Sequence, residues 1–459
     1  MPGRDALAAA ALLALGLAGA LGGCGGASRG GAAASADGGD DATSGAGDAA
    51  TDGAVASDAS DAAPFRVALS VSPFTGTMFD AGAVYGDGTH TASDPASLEQ
   101  LYVAHGANEV FVRVATEVND PAGSASDHSY THALATAGLA RALALPLDPE
   151  LGLWADYGDV SCQPPPDFSG YADIAVPGPW STLTVDQMVP VLRAYGTKMA
   201  HALLDAGTHV RIWDIGNEVD FGTAGVAPKG ISCPAWVAPD GVDPAIGQQT
   251  VVALLTMAEP ERVAWLGAHV WPAEARLLSA VAGGIRAVDP AARFATHVSE
   301  STDTAFAQAF YGAMSAGGFT PDEAGFSYYP SSTAAAGRAA AFRATVAAVH
   351  AQLARPVFLA EFAYPSGPIG SGAYASWTNA IPNYPVSPQG QAQVLHDLAS
   401  WGSTAGLSGI RYWAPVVFVS GWGGFAIFAP PSGGPALAQP AIDAIAAGLA
   451  APDPSAFHD

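Results

Sequence analysis

The sequence predicts an α/β protein, a (β/α)8 TIM barrel that follows an export signal and a flexible linker. Short apolar runs alternate with longer stretches of helical periodicity, which is typical of parallel strands joined by crossover helices. The composition changes at Phe65, the first aromatic residue of the chain. An open doubly wound sheet would show the same alternation. Polar and aromatic residues gather where the runs end, however, and barrel enzymes build their sites there, so the barrel is favoured.

Residues 1–23 have the features of a lipoprotein signal peptide. Arg4 precedes an apolar run from Ala6 to Leu21, and small residues then lead to Cys24. The run is too short and too rich in Ala and Gly to favour a permanent membrane span. We expect Cys24 to be lipidated, which would place an exported protein in the bacterial cell envelope, held to a membrane by its lipid only. An ordinary cleaved signal peptide with an incidental cysteine is the alternative.

The composition of residues 24–64 predicts a flexible linker between the lipidated Cys24 and the folded domain. From Gly25 to Ala63 every residue except Arg29 and Val55 is Gly, Ala, Ser, Thr or Asp. Such a segment has no apolar surface to bury and should remain flexible. The catalytic barrel is expected over residues 65–450, followed by a C-terminal tail at 451–459.

The eight apolar runs, in chain order, are the predicted barrel strands: Arg66–Ser72, Glu109–Val114, Arg141–Leu147, His209–Gly216, Arg293–His297, Glu323–Tyr328, Pro356–Glu361 and Gly409–Trp413. The clearest helical stretches between them are Val185–Ala206, Ala273–Val288, Ala334–Leu353 and Gln389–Trp401.

Composition excludes several classes of function. The 459 residues contain 17 Lys and Arg against 42 Asp and Glu, so the formal charge is −25. Binding to nucleic acid or to an anionic lipid surface is therefore not expected. The folded part has no phosphate-binding Gly-rich loop, no dinucleotide fingerprint and no G-x-S-x-G elbow, which disfavours nucleotide-dependent and serine-esterase chemistry. We expect a monomer.

The three cysteines are too few for a disulfide framework or a zinc ribbon. If Cys24 is lipidated, Cys162 and Cys233 remain as an even pair in an oxidising compartment, and one disulfide between them is expected there.

Two glutamates follow buried strands. The run HVRIWDIGNEVDFG places Asn217 and Glu218 at the end of the fourth predicted strand, and RPVFLAEFAYP places Glu361 at the end of the seventh. A buried acid is costly unless it is paired or used in chemistry. Each glutamate alone has a structural interpretation, as a helix cap or an arginine partner. Two of them at one barrel mouth are the pair that a glycosidase needs, one to protonate the leaving oxygen and one to attack the anomeric carbon.

Five motifs, IGNEV, GFSYYP, AEFAYP, SPQGQAQVLHDL and IRYWAP, occur in an order and spacing that resembles the arabinogalactan endo-β-1,4-galactanases of glycoside hydrolase family 53. The likeness extends from about Phe65 to Phe428. It implies a retaining barrel enzyme in which Glu218 is the acid/base and Glu361 the nucleophile. It also implies that Asn217 binds the sugar 2-hydroxyl, that Trp413 lies under the sugar, and that Arg113 sits near the nucleophile.

The sequence departs from this family at substrate-binding positions. ALSVS replaces the first-strand GADVS, and PELGLWADYGD replaces HYSDFWADP, although Trp154 and Asp156 remain. YWAP, with Ala414, replaces YWEP. These changes leave the hydrolase reaction intact and put the galactan specificity in question.

Further sugar-binding candidates are weaker. Trp154 has a flat ring of the kind that stacks on sugars, although core packing is the common use of a tryptophan. His297 ends the fifth predicted strand and is a candidate for substrate binding or a structural role. Tyr328 and Tyr329 end the sixth, where one should face the nucleophile and the other the core; Tyr328 is taken as the substrate-facing residue.

The predicted function is a retaining endo-glycosidase that cleaves β-1,4-galactan or arabinogalactan side chains of plant polysaccharide. The alternatives are another retaining barrel glycosidase, such as a β-mannanase or β-glucanase, and a non-catalytic glycan-binding lipoprotein. The reaction requires no cofactor and no catalytic metal. A structural calcium ion is left open.

Overall fold

A computed structural model describes residues 64–70, 75–120, 128–233, 235–369, 374–416, 422–431 and 433–459. Eight parallel strands form a nearly closed barrel in it, which confirms the predicted fold. The predicted signal peptide, Cys24 and nearly all of the linker lie outside the described residues. The barrel strands are β1 (Arg66–Ala68), β2 (Val110–Val114), β3 (Leu147–Leu151), β4 (Trp213–Ile215), β5 (Phe294–Val298), β6 (Glu323–Tyr328), β7 (Val357–Phe362) and β8 (Leu407–Tyr412).

Consecutive strands from β2 to β8 pair in parallel, and β8 pairs with β1. Between β1 and β2, hydrogen bonds of Asn108 replace a regular ladder of backbone hydrogen bonds. Its backbone N–H donates to Val67 O at 3.0 Å, and its side-chain oxygen accepts from Val67 N at 3.0 Å. Its amide nitrogen donates to Phe65 O at 2.8 Å. One polar side chain therefore closes most of the remaining gap.

Helices surround the barrel, and most start at side chains that cap them. The Thr184 side chain accepts a hydrogen bond from Gln187 N, and the Gln187 side-chain oxygen accepts one from Thr184 N. This reciprocal arrangement satisfies two otherwise unpaired N–H groups. The helices are α1 (Thr75–Asp80), α2 (Pro95–Ala104), α3 (Tyr130–Ala142), α4 (Val185–Leu204), α5 (Pro244–Gln248), α6 (Val251–Thr256), α7 (Glu259–His269), α8 (Trp271–Val288), α9 (Thr304–Ala316), α10 (Arg338–Leu353), α11 (Pro388–Gly402) and α12 (Ala444–Ala450).

The third strand is displaced from its predicted position. The run Arg141–Leu147 contains the end of α3, and Ala144 then turns with a φ of 54° before β3 begins at Leu147. The strand itself, LDPEL, contains a proline and two acids, so it lacks an apolar pattern. It is nevertheless buried at every position, because the two carboxylates face arginines inside the barrel.

Charged side chains from several strands pair inside the barrel. Arg411 of β8 donates to Asp148 and Glu150 of β3, both at 2.7 Å, and all three are fully buried. Arg66 of β1 contacts Asp148 at 3.1 Å and Glu323 at 2.6 Å. Because a buried charge without its partner costs about 3–5 kcal/mol, these contacts fix the strands' relative positions.

The C-terminal tail, residues 451–459, packs against the barrel. Phe457 is fully buried and packs edge-on against Tyr328. The Asp459 side chain accepts from Ala339 N and Ala340 N at the start of α10, which has no side-chain cap of its own. Across the described parts of the chain, no helix is both long and apolar enough to span a membrane.

Candidate active site

The chain turns sharply after β4 and places Asn217 and Glu218 at the barrel mouth. Gly216 has a φ of 88°, and a Cβ there would lie 2.4 Å from Val219 Cγ1. Glu218 itself is left-handed, with φ 45° and ψ 58°. Such a backbone costs about 1–3 kcal/mol in a residue other than glycine, and it persists only where neighbouring groups hold it.

Glu361 points into the barrel mouth from β7. Phe326 pairs with Leu359 and Ser327 with Glu361, so a bulge in β7 shifts the register just before the glutamate. Its two carboxylate oxygens accept hydrogen bonds from Arg113 Nη2 and from the Tyr329 hydroxyl. Burial and the charge of Glu361 raise the pKa of Tyr329 well above its usual range, so this phenol remains a donor.

Arg113 links Glu361 to the ion pairs below it. Its guanidinium contacts Glu150 through Nε and Nη2, and Glu150 also accepts from Arg411 at 2.7 Å. Burial alone would lower the pKa of Arg113, but the charges of Glu150 and Glu361 outweigh it and raise that pKa. Potential metal-ligand atoms of Glu150, His297 and Glu361 lie within 4.8 Å of one another. The cationic Arg113 bonds both glutamates of this group. Arg113 is 1% exposed, and it donates a hydrogen bond to Glu361.

Asn217 is held from three sides. Its Oδ1 accepts from Arg113 Nη2 at 2.8 Å and faces His297 Nε2 at 2.9 Å, while its Nδ2 donates to Gly158 O at 2.7 Å. Arginine can only donate, so the orientation of the amide is fixed. Among the described residues, Gly158 is the acceptor for Asn217 Nδ2, which leaves its second amide hydrogen available to a ligand.

The predicted contact between His297 and substrate is wrong. The residue is fully buried, its Nδ1 lies 3.1 Å from Asp214, and its Nε2 faces Asn217. Burial lowers its pKa, but the charge and hydrogen bond of Asp214 outweigh that effect and raise the pKa to about 9. A doubly protonated ring donates to both acceptors, so His297 orients Asn217 from below.

Glu218 lies in a different electrostatic environment from Glu361. It is 7% exposed, and the hydrogen bond resolved at its carboxyl comes from Val160 N at 3.2 Å. Burial, followed by the negative charge of Glu361, raises the pKa of Glu218 well above its usual range. The two carboxyl groups therefore differ: burial favours the protonated form of Glu218, whereas Glu361 accepts hydrogen bonds from Arg113 and Tyr329.

The structure reverses the choice between the two tyrosines after GFS. Tyr329 contacts Glu361, whereas Tyr328 lies on the outer face of β6 and stacks on Phe342 with ring centroids 4.1 Å apart. Strand alternation explains the difference: Ser327 shares the inward register of Glu361, so Tyr328 points outward toward α10.

Trp413 follows β8 and borders the site. It is 8% exposed, and the Arg113 guanidinium lies 4.1 Å from its ring centroid. Trp154, by contrast, is fully buried, and its ring fills the space above Gly152, where a Cβ would lie 2.2 Å from it. It cannot stack on a sugar, and that prediction is wrong. Asp156 lies half-buried in the same loop. Tyr157 beside it is 39% exposed and offers the accessible ring that Trp154 does not.

A cavity of about 890 Å³ extends from the site over the loops after β5 and β6. Its wall includes Glu218, Tyr329, Trp377, Glu300, Arg262 and Met257. Arg262 is paired with Asp303 at 3.2 Å. Glu218 and Tyr329 thus border this open space, and Glu361 is not part of its lining.

Cys162 and Cys233 are joined by a disulfide, with Cα atoms 5.7 Å apart. The bond ties the loop after β3 to the segment that leads into the cavity wall.

Comparisons with known proteins identify the family and the fold. The model of glycosyl hydrolase family 53 matches residues 81–427. A structure from a study of two fungal β-1,4-galactanases is 20% identical, with a TM-score of 0.59 over 83% of this chain and 99% of that chain. The family 53 catalytic domain of Ignisphaera aggregans is 17% identical, with a TM-score of 0.61 over 84% of this chain and 95% of its own. No curated protein sequence matches the chain.

Proposed function

Because the chain belongs to glycosyl hydrolase family 53 and is a glycoside hydrolase, we propose that it is a retaining endo-β-1,4-galactanase. The observation that carries the proposal is the unequal pair at the barrel mouth. Glu361 is a carboxylate bonded to Arg113 and Tyr329, and Glu218 is a buried acid beside it. A retaining glycosidase requires these two states at the start of its reaction.

In the first step, a carboxylate oxygen of Glu361 attacks the anomeric carbon while Glu218 gives its proton to the departing glycosidic oxygen. The C–O bond to the leaving sugar breaks, and a glycosyl ester forms on Glu361. In the second step, Glu218, now ionised, takes a proton from water, which attacks the same carbon and releases Glu361. The remaining amide hydrogen of Asn217 is available to the sugar 2-hydroxyl, and Trp413 lies beside the same position. The scheme uses side chains and water only.

The fold resembles that of fungal β-1,4-galactanases, and this similarity supports β-1,4-galactan as the substrate. In plants this polymer would be met as the side chains of arabinogalactan. The changes at ALSVS, PELGLWADYGD and YWAP leave a β-mannan or β-glucan as competing substrates. A non-catalytic binding protein has no need of a buried acid, Glu218, beside a Glu361 that is paired with Arg113. Reducing-sugar release from galactan, arabinogalactan, mannan and β-glucan tests these options. Galactan should be cleaved fastest, and cleavage of none would favour the binding protein.

Substitutions at the two glutamates test their roles. Glu361→Gln and Glu218→Gln should each lose activity by orders of magnitude, because neither residue can supply the other's step. Azide needs no general base, so it should partly restore Glu218→Ala on substrates with good leaving groups and give a β-azide. With Glu361→Ala it should enter from the vacated face and give the α-azide. Full activity in either Gln variant would refute the assignment.

We also propose that the enzyme is a lipoprotein of the bacterial cell envelope, held through Cys24. The full-length protein should partition with membranes, and Cys24→Ser should be released or remain an uncleaved precursor. Identical extraction and processing of the two forms would contradict this proposal.

A further inference from the structure

Gln163, in the loop after β3, lies directly against the backbone that carries the catalytic pair. Its side chain is buried, and Nε2 faces the carbonyl oxygens of Asn217 at 2.7 Å and Glu218 at 3.2 Å. It also faces Asp159 O at 3.1 Å. All three neighbours are acceptors, so the amide nitrogen rather than the amide oxygen must point toward them.

The carbonyl of Asn217 lies just beyond the sheet ladder. Strand β4 ends at Ile215, and the next turn, Val219–Phe221, begins directly after Glu218. A buried carbonyl without a donor is costly, and Gln163 Nε2 donates to Asn217 O at 2.7 Å while also facing Glu218 O. The same loop binds the other end of the residue, since Val160 N donates to the Glu218 carboxyl. The loop thus holds both the backbone and the carboxyl of Glu218.

The loop is itself fixed in place. Asp159 and Cys162 exchange backbone hydrogen bonds of 2.9 and 3.0 Å, and the Cys162–Cys233 disulfide adjoins Gln163. Ile231 N donates to Ser161 O at 2.8 Å, which attaches the turn to the segment containing Cys233. The Gln163 amide therefore belongs to a rigid element rather than to a free loop.

We propose that Gln163 is a positioning residue, which holds the left-handed turn at Asn217 and Glu218 so that the Glu218 acid reaches the glycosidic oxygen. The inference rests on the proposed function of Glu218. Without the donor, the turn relaxes and the carboxyl moves, while Glu361 keeps its bonds to Arg113 and Tyr329. Proton donation should fail while nucleophilic attack survives.

Substrates with different leaving groups distinguish a loss of proton donation from a loss of nucleophilic attack. For aryl β-galactotriosides, kcat/KM reports the steps up to the glycosyl–enzyme. A phenyl leaving group needs the proton of Glu218, and a dinitrophenyl leaving group does not. Gln163→Met keeps the size of the side chain and removes its donors. We expect kcat/KM for the phenyl substrate to fall about a hundredfold, the effect of a misplaced catalytic group, with little change for the dinitrophenyl substrate. Azide should raise the turnover of the dinitrophenyl substrate, as in Glu218→Ala.

Gln391 provides the matched control. It is also buried, and its amide donates to Tyr364 O at 2.7 Å and Phe425 O at 3.1 Å, away from the turn at Glu218. Gln391→Met should lower thermal stability without changing the ratio of the two kcat/KM values. If Gln163→Met does not fold, Gln163→Asn withdraws the same amide by one methylene and should change the ratio in the same direction.

An equal loss on both substrates, or an unchanged ratio in a folded Gln163 variant, would overturn the inference. Glu218→Ala distinguishes this failure from failure of the proposed function. If Glu218→Ala shows no dependence on the leaving group, the acid/base assignment itself is wrong. If it does and the Gln163 variants do not, only the role of Gln163 is refuted.

Discussion

The hydroxyl of Tyr329 should contribute directly to the reactivity of Glu361, and Tyr329→Phe removes that hydroxyl alone. It is one of two donors on the Glu361 carboxylate, the other being Arg113. A hydrogen bond to a charged group contributes about 1.5–3 kcal/mol. Because about 1.4 kcal/mol corresponds to a tenfold change in rate, kcat/KM should fall roughly 10- to 100-fold. Arg113 still orients the carboxylate, so the loss should stay well below that of Glu361→Gln.

The neighbouring residue supplies the control. Tyr328→Phe makes the same chemical change one position earlier, on a ring that stacks on Phe342. Within the described residues its buried hydroxyl has no hydrogen-bond partner. Removing an unsatisfied polar group should leave kcat/KM unchanged and leave stability unchanged or up to about 1 kcal/mol higher. Initial rates on galactan and urea unfolding of both variants measure these effects. Equal losses of activity in the two variants, or none in Tyr329→Phe, would refute the assignment of the hydroxyl to Glu361.

The remaining predictions concern pH and the disulfide. Because the pKa of Glu218 is raised, acid catalysis by its protonated form is present below that pKa and is lost as pH rises through it. The kcat/KM for a phenyl glycoside should therefore decline on the alkaline side, and Glu218→Ala should lack this decline. Glu274 is fully buried with no partner for either carboxyl oxygen within the described residues, and burial followed by the charge of Asp220 raises its pKa. The folded state therefore keeps a proton that the unfolded chain releases above about pH 4.5, and stability is lost as pH rises. Glu274→Gln should gain stability over the wild type between about pH 4 and 8 in urea unfolding, and a constant difference would contradict this. The disulfide closes a separation of 71 residues, so replacing Cys162 and Cys233 by alanine should cost about 4 kcal/mol of unfolding free energy; an unchanged urea midpoint would contradict that value.

Strand-end chemistry made the catalytic positions predictable from sequence. Asn217, Glu218 and Glu361 follow apolar runs that end at the barrel mouth. In the structure Arg113 contacts Asn217 and Glu361, and Glu218 lies close enough to Glu361 for the two charges to interact. Their positions follow from local pattern, because the C-terminal ends of parallel strands share one face.

The supporting residues were less visible, because their roles depend on partners far away in the chain. Glu150 lies in a strand without an apolar pattern, and it is buried there only because Arg113 and Arg411 arrive from two other strands. Its spacing of two from Asp148 is consistent with a shared inward face, and this was the one signal that the sequence offered. Gln163 offered none, since its partners are backbone carbonyls.

The roles of three predicted site residues depend on the direction in which their side chains point, which the sequence does not determine. Tyr328 and Tyr329 are adjacent, and only the exact end of β6 decides which one turns inward. Trp154 is fully buried and follows the left-handed residue Leu153, and His297 is fully buried with its ring nitrogens facing Asp214 and Asn217. A shift of one residue along a strand, or full burial of the side chain, decides whether such a residue has a structural role or a binding role.

The stereochemistry of hydrolysis tests the central claim that Glu361 attacks and Glu218 protonates. Retention requires carboxyl groups about 5–5.5 Å apart, whereas inversion requires room for a water molecule between them. Proton NMR spectra recorded in the first minutes of galacto-oligosaccharide cleavage show the anomeric configuration of the new reducing end before it equilibrates. Two displacements at the same carbon predict that the β-anomer appears first and the α-anomer grows in later by mutarotation. Initial formation of the α-anomer would contradict nucleophilic attack by Glu361.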